Sequence, residues 1–181
     1  MVDEKGRLFF SMNVTFDDPE YDYRCECNTS CPEHIHSDYY EILFITQGAY
    51  VNICDGITET APAGTVLLFD VGAVHTFNTA SSADSHFVFA AQKDAFEQYL
   101  ALYFPNMNLF ASETYIKLTI SDAQSRYMME LAQLSGHLKL GRKFIKLLLY
   151  NVLAQIQIHS STPVPRLRTS MCLILLRRLI I

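Results

Sequence analysis

The segment CPEHIHSDYYEILFITQG, residues 31–48, brings two histidines, a glutamate and a closing glycine into one short stretch. His34 and His36 are separated by a single residue, so on an extended strand their side chains point to the same side. Glu41 follows at an odd spacing, so a bend or bulge through SDYY is needed to return its carboxylate to that side. The segment therefore predicts a polar centre that binds a metal ion, binds a small molecule or has only a structural role.

Short strand-like segments fill the chain up to about residue 92 and place this centre in a β-structure. They are rich in aromatic and β-branched residues and are separated by turn residues. Asp55-Gly56 between two of them is a strong signal for a two-residue hairpin. Many short strands at close spacing predict a β-sandwich or barrel. The predicted strands are residues 8–16, 21–27, 39–47, 49–54, 57–61, 65–71, 75–80 and 86–92.

The pattern changes to that of helices after residue 93. One helix is predicted from near Asp94 to just before Pro105, and a second over residues 123–139 after a Ser121-Asp122 cap. A third, residues 142–159, carries apolar side chains around more of its circumference than one packing face needs. We therefore predict a homodimer through this helix, with four interface residues: Leu149, Val152, Leu153 and Ile156.

These patterns divide the chain into three regions. Residues 1–92 are predicted to form the β-barrel, and residues 93–160 a helical region for dimerisation. The third region, residues 161–181, begins within the linker SSTPVP, which occupies residues 160–165, and continues as an apolar, arginine-containing segment.

The composition argues against several functional classes. The formal net charge of −5 at pH 7 does not favour nucleic-acid binding over a broad basic face. The N-terminus lacks the apolar core of a secretory signal, and no apolar window is long enough to span a membrane, so we predict a cytoplasmic protein without membrane contact.

The five cysteines fit a reducing compartment better than a disulfide framework, because their number is odd. Cys25, Cys27 and Cys31 lie just before the histidines, but their spacing matches no standard zinc motif. Buried or half-buried free thiols are the better interpretation of these residues.

A second segment, GTVLLFDVGAVH at residues 64–75, supplies a further histidine, His75. If the strands pair in a barrel, it can join His34, His36 and Glu41. Three neutral imidazoles and one carboxylate form a ligand set for Zn, Ni, Mn or Fe that leaves coordination positions open. The remaining histidines match no pattern and are interpreted as ordinary surface or hydrogen-bonded residues: His86, His137 and His159.

The two segments together resemble the two motifs of the cupin superfamily. The first, H-x-H-x₄-E-x₆-G, is filled by His34, His36, Glu41 and Gly48, and the second by Gly64, Gly72 and His75. The chain departs from the family at three positions, with Asn28 for a leading glycine, Asp70 for a proline and Asn78 one residue early. The resemblance implies a small double-stranded β-helix, a cupin or jelly-roll barrel, with its metal-ligand positions kept. Many cupins use no metal, and the histidines would then line a sugar-binding cavity.

The wider layout resembles one kind of cupin-containing protein. The order H-x-H-x₂-YYEI-x₃-T-x-G, DG, PAG and G-x₂-H, followed by helices and a linker, extends over about residues 20–165. It is similar to the N-terminal half of arabinose-regulator (AraC) family transcription factors, and most similar to the chitobiose-operon type. The resemblance implies effector binding, dimerisation, and DNA contact only through a domain absent from this chain. Residues 161–181 are expected to be the truncated start of that DNA-binding domain.

The leading hypothesis is thus an effector-binding and dimerisation domain that senses a sugar, a sugar phosphate or another small molecule. Tyr39 lies two residues from Glu41, and Phe77 lies two residues from His75, so on a strand each points to the same inward side as its neighbour. Both rings are expected to line the cavity together with His34, His36 and His75. The alternative is a metal-dependent cupin enzyme of the isomerase or dioxygenase type, which the ligand set favours but for which no separate general base is evident. A pure interaction or storage protein is the third hypothesis.

Overall fold

Two five-stranded β-sheets face each other in the computed structural model of this chain. The structure describes residues 2, 4, 6–15, 17–110, 113–138 and 141–160. In chain order the strands are β1 (Leu8–Phe10), β2 (Tyr21–Cys27), β3 (Cys31–His36), β4 (Tyr39–Gln47), β5 (Ala49–Cys54), β6 (Ile57–Pro62), β7 (Thr65–Phe69), β8 (Val74–Thr79), β9 (Ser85–Gln92) and β10 (Tyr115–Thr119). The predicted mainly β, cupin-like fold with helices after it is confirmed.

The two sheets differ in how many of their faces are buried. The first has the order β1-β3-β8-β5-β6 and is called the open sheet; the second, β10-β7-β4-β9-β2, is called the covered sheet. Strand β5 of the open sheet alternates between buried and half-buried side chains, as expected when one face is solvated. Strand β4 of the covered sheet is buried without alternation from Tyr39 to Ile45, so it has a core on each side.

The two faces of β4 contribute to two separate hydrophobic cores. Tyr39 and Leu43 point between the sheets, into the barrel core. Tyr40 and Ile42 point the other way, into a core that the helices complete with residues such as Phe96. The helical region is therefore packed on the barrel and forms its outer layer.

Four helices are found among the described residues: α1 (Met12–Thr15), α2 (Lys93–Tyr103), α3 (Asp122–Leu138) and α4 (Gly141–Ser160). Helix α2 begins where the side-chain oxygen of Gln92 accepts a 3.0 Å hydrogen bond from the Ala95 N–H. At the start of α3 the Ser121 N–H donates to the Gln124 side chain at 2.8 Å, and the Gln124 N–H donates to the Ser121 hydroxyl at 3.3 Å. This reciprocal pair is a capping box and explains why the helix starts at the predicted cap.

Helix α4 packs its apolar side chains within the same chain. The four residues predicted to form a dimer interface are at most 5% exposed: Leu149, Val152, Leu153 and Ile156. They share a core with Ile42 and Phe89 of the covered sheet. The expectation that a partner subunit is needed to bury them is therefore corrected, because the outer face of that sheet already covers them. A homodimer stays a prediction and requires another surface.

The N-terminal segment differs from the predicted strand over residues 8–16. Strand β1 is followed by the short helix α1. The Asp38 carboxylate accepts hydrogen bonds from the Met12 N–H at 2.8 Å and the Ser11 hydroxyl at 3.2 Å. The helix start is thus capped by a residue distant in sequence, which local strand propensity cannot reveal.

Three further differences concern connections and edges. A turn at residues 37–38, in place of the expected bend within one strand, carries the chain from the open sheet to the covered sheet. Strand β3 is absent from the predicted set, although the expectation that His34 and His36 point to the same side assumes a strand there. The edge strand β10 was also not predicted. Residues 161–181, expected to begin a DNA-binding domain, lie outside the described residues.

Candidate functional site

Four polar side chains from both sheets converge inside the barrel. His34 and His36 lie on β3, His75 on β8 and Glu41 on β4. Their ligand atoms all lie within 4.8 Å of one another, and each residue is at most 8% exposed. His34 and His75 are cross-strand partners in the open sheet, whereas Glu41 reaches over from the covered sheet. The structure thus brings together the four residues predicted to bind metal, here called the four-residue cluster.

The two oxygens of the Glu41 carboxylate face different histidines. Oε2 lies 3.1 Å from Nε2 of His75, and Oε1 lies 3.6 Å from Nε2 of His36. The ring centroid of His34 is 4.1 Å from that of His75. The potential donor atoms therefore lie close enough together to contact one ion.

The hydrogen bonds of the cluster leave ring nitrogens available for a ligand. Nδ1 of His34 lies 2.8 Å from the Pro32 carbonyl oxygen, so this nitrogen donates its proton and Nε2 keeps its lone pair. Both ring nitrogens of His36 and Nδ1 of His75 are buried without a hydrogen-bond partner in the described part of the chain. Each unsatisfied buried group costs about 1–3 kcal/mol. The cluster therefore fits a divalent ion for two reasons: its donor atoms are of the types that such ions bind, and the ion would supply partners for the unsatisfied nitrogens.

The electrostatics of the cluster favour the protonation states that metal binding needs. Burial lowers the pKa of His36 to about 3, against the opposing charge of Glu41. Burial alone would raise the pKa of Glu41, but the adjacent imidazoles of His36 and His75 hold it below its usual range. Neutral imidazole and ionised carboxylate are the metal-binding forms of these side chains.

A cavity of about 220 Å³ lies beside the cluster, between the two sheets. His34 and Glu41 form part of its wall, and so do the predicted ligand-binding residues Tyr39 and Phe77. His36, which stacks on Tyr39 at 4.5 Å between ring centroids, and His75 are not in the wall. The predicted binding set therefore divides into side chains that face the cavity and two histidines behind them.

The sequence interpretation missed several cavity residues, among them three with ionisable side chains: Arg24, Glu26 and His86. Arg24 and Glu26 on β2 line the cavity, and so does His86 on the paired strand β9. His86 was interpreted as an ordinary histidine, but it is 2% exposed and has Nδ1 2.9 Å from the Tyr50 hydroxyl. The alternation of polar residues at 24 and 26 could have been recognised only with knowledge of which face of β2 points inward.

The cysteines do not form a second metal site in the described part of the chain. Cys25 and Cys27 are exposed, contrary to the predicted burial, whereas Cys31 is half-buried and Cys54 is buried. Burial raises the pKa of Cys31 to about 12, so its thiol remains protonated at neutral pH.

Comparison with known proteins assigns the family. The profile of the AraC-like ligand binding domain matches residues 19–138, which include most of the barrel and the whole four-residue cluster. The chain belongs to this family. Arg24, Glu26 and His86 also lie within the matched AraC-like region. Comparison with curated protein sequences gives no match.

Solved structures support the AraC-like fold. ToxT of Vibrio cholerae bound to an unsaturated fatty acid is 12% identical, with a TM-score of 0.56, over 77% of this chain and 55% of ToxT. An apo variant of ToxT is 12% identical, with a TM-score of 0.59, over 89% of this chain and 65% of ToxT. The chain thus spans about 55–65% of the length of these proteins. At this identity the similarity shows the fold alone.

No described helix combines the length and the apolar composition that crossing a bilayer would require.

Proposed function

We propose that this AraC-like domain is the effector-binding module of a transcription regulator and that a small polar molecule binds in its barrel cavity. The observation that carries the proposal is the cavity of about 220 Å³, whose wall combines aromatic rings with carboxylate, imidazole and hydroxyl groups. A concave site with a few convergent polar groups is the usual form of a small-molecule site.

The lining favours a sugar or sugar phosphate as the effector. Phe77 and Tyr39 offer ring surfaces for sugar C–H groups, and Glu26, Glu41 and His86 offer hydrogen-bond partners for hydroxyls. The fatty acid in the ToxT structure belongs to that protein. We therefore retain the chitobiose-operon type of sugar regulator as the proposed class.

We further propose that the four-residue cluster binds a divalent ion, with His34, His36, His75 and Glu41 as ligands. Zn, Ni, Mn and Fe suit this donor set. A bound ion would supply Lewis-acid coordination for an effector oxygen. The protein's own contribution is the bond from His34 to the Pro32 carbonyl, which orients one imidazole toward the centre of the cluster.

The regulatory arrangement is proposed from the family. We propose a cytoplasmic homodimer that contacts DNA through a region other than the described domain. The barrel and helices 93–160 would act as the sensing and dimerisation region, and residues 161–181 would lead toward the DNA-binding region.

Titration calorimetry of the full chain with chitobiose, a hexose phosphate, glucose and decanoate tests the proposal. At least one sugar is expected to bind, and Phe77→Ala should weaken it roughly tenfold because an aromatic contact is lost. Ile57→Ala, at a residue 56% exposed on β6, is the matched control and should leave binding unchanged. Binding of decanoate with no binding of any sugar would contradict a sugar effector.

The second candidate function is a metal-dependent cupin enzyme. The cluster favours it, because four potential ligands leave coordination positions for a substrate. Incubating the metal-loaded protein with the sugar that binds it separates the two functions: an unchanged sugar supports a sensor, and an isomerised or oxidised product supports an enzyme.

A further inference from the structure

His86 presents one ring nitrogen to the core and the other to the cavity. The residue is 2% exposed and lines the cavity with its cross-strand partner Glu26. Nδ1 lies 2.9 Å from the Tyr50 hydroxyl oxygen. Nε2 lies 3.9 Å from Oε2 of Glu26, which is too far for a direct hydrogen bond. Nε2 therefore faces Glu26 across the cavity and makes no direct hydrogen bond to that carboxylate.

Tyr50 determines which nitrogen of His86 carries the proton. Its ring is fully buried and stacks on Phe77, with 4.2 Å between centroids and 8° between planes. If the Tyr50 hydroxyl accepted a proton from Nδ1, its own proton would have no acceptor in the described part of the chain. The hydroxyl therefore donates to Nδ1, and Nε2 of the neutral ring carries its proton toward the cavity. Burial lowers the pKa of His86 to about 4, in keeping with a neutral ring.

We propose that the gap between His86 and Glu26 is a binding site for one hydroxyl group of the effector, called the hydroxyl subsite. This inference rests on the proposed effector-binding function. An oxygen about 2.8 Å from both atoms is a normal hydrogen-bond geometry, and the separation of 3.9 Å allows both bonds at once. The hydroxyl accepts from Nε2–H of His86 and donates to Oε2 of Glu26.

The hydroxyl subsite discriminates between ligand groups. An ionised carboxylate or phosphate oxygen can accept from Nε2–H of His86 but has no proton to donate to Glu26. An ammonium group cannot accept from Nε2–H of His86. A neutral hydroxyl is the common organic group that satisfies both partners, and a water molecule can replace it in the absence of effector.

The subsite and the four-residue cluster are on the same cavity. Glu41 and His34 line it from the cluster, and Phe77 contributes an aromatic face within the same wall. A ligand that uses both sites needs oxygen groups at separate positions and an apolar face between them. These requirements describe a compact polyhydroxylated molecule, so the subsite explains how the domain would select a sugar over an acyl chain.

The first test needs no effector. Nitrogen NMR of the histidine side chains in the ligand-free protein should show His86, assigned by its loss in His86→Gln, with the proton on Nε2. Tyr50→Phe should shift this equilibrium toward the Nδ1–H form, because the donor to Nδ1 is gone. A wild-type ring protonated on Nδ1 would overturn the proposed donor arrangement.

The second test measures affinity for whichever of chitobiose, a hexose phosphate and glucose binds the wild type. His86→Gln and Glu26→Gln should each weaken binding about tenfold or more, since a hydrogen bond to a buried or charged partner is lost. Glu33→Gln on the exposed face of β3 is the matched control and should leave affinity unchanged. The His86 ring signals should also move as the sugar is added.

The outcomes separate this inference from the proposed function. A sugar that binds equally well to wild type, His86→Gln and Glu26→Gln would overturn the hydroxyl subsite and leave the sensor function standing. If none of the three sugars binds, both the hydroxyl subsite and the proposed sugar effector are overturned. A crystal structure of the complex with a sugar carbon or carboxylate between His86 and Glu26 would also overturn it.

Discussion

Glu41 and His75 are 3.1 Å apart between Oε2 and Nε2, although they belong to sheets that face each other across the barrel. Both residues are buried, and His36 lies on the other side of the same carboxylate. The four-residue cluster therefore links the two halves of the barrel. Any ion that binds there would stabilise the contact between the sheets as well as form a site.

Metal binding should raise thermal stability. With the free ion at a hundred times its dissociation constant, the expected gain is about 2.7 kcal/mol. Titration of the chelator-treated protein with Ni²⁺ or Zn²⁺, followed by thermal unfolding, measures it. His75→Ala and Glu41→Gln should lose most of the gain, whereas Glu33→Gln, at an exposed residue on β3, should keep it. Equal stabilisation of all four proteins would exclude the cluster as the site.

Substitution of Leu153 should destabilise the monomer, whatever its association state. The side chain is fully buried in the core between α4 and the covered sheet, so Leu153→Ala should cost about 2–5 kcal/mol. Ile158→Ala, at a residue 65% exposed on the same helix, should change stability by less than about 0.5 kcal/mol. Denaturant unfolding at two protein concentrations checks this. A loss that grows on dilution would instead place Leu153 at a subunit contact.

The convergence of the histidines was largely predictable from sequence, because they occupy inward positions of adjacent strands. His34 and His36 are two residues apart on β3, so they point to the same side, and His75 on β8 is the direct cross-strand partner of His34. Glu41 was included for a reason that the structure corrects. The odd spacing between His36 and Glu41 was attributed to a bend within one strand. In the structure, a turn between the two residues carries the chain from the open sheet to the covered sheet, so Glu41 faces the histidines from the opposite side of the barrel.

Features set by contacts between distant segments could not be predicted. The capping of α1 depends on Asp38, and the inward face of β2 depends on its pairing with β9. Sequence periodicity also showed that α4 is apolar on more than one side, but not that the covered sheet would bury Leu149. Local patterns thus specified most elements and left their partners undetermined.

His86 should make stability depend on pH. Burial lowers its folded-state pKa from the ordinary 6.5 to about 4, so the unfolded chain binds more protons between these values. Stability from the neutral ring is fully present above pH 6.5 and falls as pH drops toward 4. The loss should reach about 3 kcal/mol at most. His86→Gln should show a smaller decline in denaturant unfolding across this range, and an identical decline would contradict the assignment.

Gly48 should be the least replaceable of the turn glycines. Its φ is +73°, and an added Cβ would lie 2.8 Å from Cγ of Asp84. Asp84 cannot move away freely, because its carboxylate accepts 2.6 Å hydrogen bonds from the N–H groups of Ala80 and Ser81. Gly56 has a similar φ of +77° but open space around it, so Gly56→Ala isolates the backbone cost of about 1 kcal/mol. Gly48→Ala should cost at least about 2 kcal/mol more, because of the clash. Equal losses in denaturant unfolding of the two variants would show that the Asp84 turn adjusts without penalty.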